Sequence, residues 1–133
     1  MTIEDAVARS QVYLAHLWMI RTFLKHADET ADNPELLEVP RTLYDSIRAV
    51  EPALQNNDLP RYMRKLAGKL GKLGKIATFF QQEYKNYSAH TNFEMAALSL
   101  SGAVAGLQEL VKQYNQTSST APVGEMEEVD DGE

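Results

Sequence analysis

The sequence predicts an all-α protein: an antiparallel, up-down-up-down four-helix bundle followed by a disordered acidic C-terminal tail. Three observations lead there. Apolar residues recur at helical spacing through four long segments, short clusters of Asp, Asn and Pro separate three of those segments, and no stretch shows the period-two alternation of a half-buried strand. Short connections between long helices favour antiparallel neighbours.

The first segment opens on Thr2 and Asp5, spaced as a helix cap, and its pattern runs from Ile3 to about Ala27. Ile3, Val7, Leu14, Leu17 and Leu24 form the stripe expected to face the core, with Tyr13 and Ile20 on one edge and Trp18 on the other. Arg21 continues that stripe, so it is expected to need a partner. On the opposite side Ala8, Val12, Ala15, Met19 and Phe23 make a second apolar stripe. A bundle helix hides one stripe of about three residues in seven, so this second face predicts self-association as a homodimer.

Asp32, Asn33 and Pro34 turn the chain into a second helix carrying Leu36, Leu43, Ile47, Val50 and Leu54. Proline lacks the amide hydrogen and clashes with the preceding turn. Pro40 and Pro52 therefore predict a helix that is kinked or starts late near Pro40, and that ends before Pro52. Asn56, Asn57, Asp58 and Pro60 mark the next break. In the third helix Leu59, Met63, Leu66, Leu70, Leu73, Ala77, Phe80, Tyr84 and Tyr87 repeat at alternating threes and fours. The stripe passes through Gly68, Gly71 and Gly74. Each helical glycine costs about 1 kcal/mol against alanine, so three of them predict a neighbouring backbone packed close. Thr91 and Glu94 have capping-box spacing and open a fourth helix with Phe93, Ala97, Leu100, Val104, Leu107, Val111 and Tyr114 inward. Beyond Gln116 the periodicity stops, which divides the chain into a bundle over residues 1–116 and a disordered acidic tail over 117–133.

Composition narrows the function classes. The absence of cysteine excludes disulfides and thiolate metal sites and fits a reducing compartment. The acidic start Glu4-Asp5 is unlike a secretory leader, and no charge-free run, Ser10 to Ile20 included, reaches the ~20 apolar residues of a membrane span. The chain is expected to be soluble and cytoplasmic, with no membrane span. Its net charge of −6 is segregated: Glu125, Glu127, Glu128, Asp130, Asp131 and Glu133 are six of the 19 acids, leaving 13 acids against 13 bases over residues 1–124.

No Glu is followed three residues later by His, and HExxH, GxGxxG, Walker and GxSxG patterns are missing, so neither metal nor cofactor is expected. An antiparallel topology would bring His26, Asp28, Glu29, His90, Asn92 and Glu94 to one rim, with Arg21 about 7.5 Å below His26. Arg21, His26, His90 and Glu94 are the candidate catalytic residues of that rim. Arg21-x4-His26 and Arg9-x6-His16 resemble the Arg-x4–6-His pattern of HEPN-type helical ribonucleases. The resemblance covers those pairs alone. It implies metal-independent cleavage in which a histidine and an arginine act on RNA phosphate.

The third helix presents a different candidate. Arg61, Arg64, Lys65, Lys69, Lys72 and Lys75 place six of the 13 bases within fifteen residues containing no acid. At about 100° per residue they fall within an arc of about 140° opposite Leu66, Leu70 and Leu73, with Phe79 on the same arc. Such a face suits an acidic protein partner, and nucleic acid as the alternative. The expected function is a non-enzymatic interaction module that self-associates and offers this face. The alternative is a nucleic-acid-binding protein or HEPN-like ribonuclease using Arg21 and His26. Neutrality of residues 1–124 counts against the latter, since nucleic-acid modules are usually basic throughout.

Overall fold

A computed structural model describes residues 1–117. Five helices span them: α1 (Ile3–Lys25), α2 (Asp28–Ala31), α3 (Pro34–Gln55), α4 (Leu59–Glu83) and α5 (Thr91–Thr117), with a 3-10 turn at Tyr84–Asn86 continuing α4. Four are long, and no strand occurs among the described residues. The tail expected from residue 117 onward lies outside the described residues except for Thr117, which ends α5. No described helix is long and apolar enough to cross a membrane.

Local chemistry explains most of the boundaries. Thr2 Oγ1 accepts the Asp5 amide at 3.0 Å, capping α1. At the end of α3, Asn57 takes φ 53°, the left-handed conformation that Asn tolerates better than most residues. The Asp58 amide then reaches Ala53 O at 2.8 Å and the Asn57 amide reaches Leu54 O at 3.0 Å, the paired bonds of a Schellman ending. Asp58 also accepts the Arg61 amide at 3.2 Å, so one residue closes α3 and opens α4. The single turn α2 escaped sequence analysis because four residues cannot show a period.

Three expectations are corrected. Helix α3 starts at Pro34 and continues past Pro52 to Gln55, so it neither starts late near Pro40 nor ends before Pro52. A mid-helix proline costs about 3 kcal/mol. Against that, α3 buries Leu36, Val39, Leu43, Ile47 and Val50, each contributing about 1.5–3 kcal/mol, so packing outweighs local propensity. The start of α5 is organised by His90 rather than by Thr91 and Glu94: His90 Nδ1 accepts the Asn92 amide at 3.0 Å, and Ser88 Oγ accepts the His90 amide at 3.1 Å. Beside Gly74 the close neighbour is the Gln108 side chain of α5, not a backbone.

Helix α1 packs on α3 and α5, and α4 packs on the same two helices, with a smaller contact between α1 and α4. Met1 N lies 3.5 Å from Thr117 Oγ1, whereas Phe23 packs edge-on against Phe93 with centroids 5.4 Å apart. Leu17, Leu24, Leu36, Leu43, Leu73, Phe80, Leu100 and Leu107 are completely buried at the centre. Leu54, expected in the core stripe, is instead exposed in the last turn of α3.

One polar pair crosses this core. Ser10 Oγ donates to Val7 O at 2.7 Å, so the Tyr62 hydroxyl, 2.6 Å away, must be the donor to Ser10. Burial pushes the Tyr62 phenol above its ordinary value of 10.0, and the Ser10 bond offsets only part of that shift. An acid whose pKa is raised by folding contributes stability that is intact below its unfolded pKa and lost as pH rises past it. Stability is therefore expected to fall above pH 10.0, and Tyr62→Phe should flatten that fall when urea midpoints are compared across the alkaline range.

Two glycines of α5 give opposite expectations. A Cβ at Gly106 would overlap the Tyr13 ring, whereas one at Gly102 would meet nothing within 4 Å. Gly102→Ala should gain about 0.5–1 kcal/mol from the reduced entropy of the unfolded chain. Gly106→Ala should lose about 1–2 kcal/mol, because forcing the half-buried ring aside exceeds the same gain. Thermal melting of the two variants checks both signs.

Candidate functional site

His26 and Glu94 are exposed, and His90, also exposed, is engaged through Nδ1 in capping α5. Among the described residues no side-chain hydrogen bond or ion pair joins Arg21, His26, His90 and Glu94, the Glu94 amide meeting only the His90 backbone carbonyl at 3.4 Å, and no group of three or more His, Asp or Glu is gathered as a metal would require. Around α1, Arg21 and His26 point about 140° apart at 100° per residue.

Arg21 turns to α3. Its guanidinium lies 4.6 Å from the Trp18 ring centroid and 4.8 Å from that of Tyr44, and Arg48 lies over the same rings at 5.5 and 5.0 Å. The two rings are themselves 6.1 Å apart. Arg48 also pairs with Glu51 at 2.7 Å. Its pKa is raised, first by that hydrogen bond and then by one to Tyr44. The partner that Arg21 requires is therefore aromatic rather than acidic, a cation–π arrangement that sequence spacing did not reveal because Tyr44 belongs to another helix.

On α4 the six bases divide. Arg61, Arg64, Lys72 and Lys75 are exposed, Lys65 is half-buried, and Lys69 is only 8 % exposed. The uniformly outward face expected from the helical projection is thus narrower by one residue. Lys69 sits about 60° from Leu66, on the shoulder of α4 rather than its crest. Phe79 is half-buried against the core, so its ring is not the free platform the projection implied.

The second stripe of α1 remains largely uncovered. Ala8 and Ala15 are exposed, Val12 is 60 % and Met19 66 % exposed, while Phe23 turns inward onto Phe93. Helix α5 extends the same surface with Met95 at 47 % and Leu98 at 62 %. Val12 shares a shallow groove with Tyr13, Gly106 and Leu110, which ties the stripe to the α1/α5 seam. Among the described residues, four of the five exposed large apolar side chains therefore belong to two adjacent helices. Met95 and Leu98 escaped the sequence analysis, although their offset from the Phe93, Ala97 and Leu100 stripe was the available signal.

No family model, curated protein or solved structure matches the chain.

Proposed function

We propose that this chain is a non-enzymatic interaction module: an antiparallel four-helix bundle of up-down-up-down topology, cytoplasmic, that forms a two-fold homodimer through α1 and α5 and presents the basic face of α4 to an acidic protein partner. The topology is supported by Met1 meeting Thr117 while Phe23 meets Phe93. The observation that carries self-association is the exposure of Val12 and Met19 on α1 and of Met95 and Leu98 on the adjacent α5. Contiguous exposed apolar surface marks interfaces.

The magnitude is modest. From Ala8 to Phe23 the face is about 22 Å long and two helices, or about 20 Å, wide. That footprint of about 450 Å² is well below the ~800 Å² per partner of a standard interface, so an affinity near the micromolar range is expected. The test is the mass of the chain across a dilution series through that range, with RNA incubations alongside. A concentration-dependent dimer and intact RNA fit the proposal. A monomer throughout, or RNA cleavage that disappears in His26→Ala, overturns it.

A further inference from the structure

The geometry points to a specific occupant for the basic face of α4: the acidic segment 125–133 of the same chain, docked in cis, so that an acidic partner binds only by displacing it. This rests on α4 being an acid-binding surface and is independent of dimerisation.

Register carries the inference. Ser101 Oγ of α5 donates to Gln81 of α4 at 3.2 Å, and Gln108 of α5 lies beside Gly74 of α4. Seven residues forward along α5 thus correspond to seven residues back along α4. Continued to its end, α5 delivers Thr117 level with Lys65, inside the basic stretch rather than at the far end of the molecule. Lys75 also borders the groove between α4 and α5, with Ser101, Ala105 and Gln108 on the opposite wall. Arg64 stands three turns below Lys75 on the same edge. The chain therefore leaves α5 on the side of α4 where these cations lie.

Length and charge fit as well. The basic stretch from Arg61 to Lys75 is about 21 Å long, with Lys75 about 15 Å from the level of Lys65. Glu125 is eight residues beyond Thr117, an extended reach of about 26 Å, and eight further residues follow. Residues 118–133 hold six acids and no base, whereas residues 61–75 hold six bases and no acid. A tether this short keeps the acids at an effective concentration of roughly millimolar, so even a weak attraction suffices. Screening over ~10 Å at 0.1 M salt makes the contact releasable.

Carbodiimide cross-linking of the full-length chain, mixed with a ¹⁵N-labelled copy, tests this directly. Isopeptide bonds from Lys65, Lys72 or Lys75 to residues 125–133 are expected within single chains, falling several-fold at about 0.5 M NaCl. Absence of these bonds, or bonds that join labelled to unlabelled chains, overturns docking in cis. A full-length variant with the six acids changed to Gln or Asn should also elute from heparin at higher salt than the parent, and equal retention of both on the column contradicts the inference. If neither chain is retained, the acid-binding reading of α4 fails while the cross-links still decide the docking.

Discussion

Phe80→Ala is expected to leave the protein barely folded. Phe80 is completely buried and holds the aromatic cluster together, with its ring centroid 6.2 Å from Phe93 and 6.3 Å from Tyr84, while Phe93 in turn meets Phe23 of α1. One ring thus bonds the end of α4 to the start of α5 and, through Phe93, to the end of α1. Truncating a buried phenylalanine costs about 3–5 kcal/mol, because the lost transfer energy is joined by that of a cavity the neighbours cannot fill. A domain of this size has only about 5–15 kcal/mol in total. The urea midpoint should therefore fall steeply at an unchanged slope. Phe79→Ala, one residue earlier on the half-buried flank, should cost markedly less.

The second large effect concerns association rather than folding. Val12→Glu with Met19→Glu should abolish the dimer and leave the monomer intact. Both side chains are mostly exposed, at 60 % and 66 %, so the core is untouched, and such surface changes usually stay within about 0.5 kcal/mol of the parent. In a two-fold interface each substitution occurs twice, which places four carboxylates on an apolar contact without partners. Unpaired buried charge costs several kcal/mol, enough to weaken association at least about 100-fold at 1.4 kcal/mol per decade. Circular dichroism unchanged together with loss of the dimer checks the prediction. A variant that unfolds would show instead that the face supports the monomer.

Helices and core were largely legible because the two levels of organisation agree: the Leu66, Leu73, Phe80 and Leu100, Leu107 stripes have helical spacing and are also the buried residues. Departures occurred where tertiary contacts override local rules. Pro40 and Pro52 break helices in isolation, but here the buried side chains of α3 outweigh the lost hydrogen bonds. His90 displaced Thr91 as the cap because its ring nitrogen takes the Asn92 amide while its carbonyl takes the Glu94 amide that a Thr91 cap would need, and motif spacing does not register a histidine cap. The site candidates fared according to how far they depended on other helices. The α1 stripe was readable from one helix, apart from Phe23, whose inward turn depends on Phe93. The rim set of Arg21, His26, His90 and Glu94 needed convergence between helices, and Arg21 is held instead by Trp18 and Tyr44.

Sedimentation equilibrium of the unmodified full-length chain, from below to above the micromolar range, bears most directly on the uncovered α1/α5 face. The chain mass is 14.9 kDa. Self-association through that face predicts a mass rising toward twice this value with concentration, and returning to the single-chain value for Val12→Glu with Met19→Glu. A mass of 14.9 kDa at every concentration would contradict it.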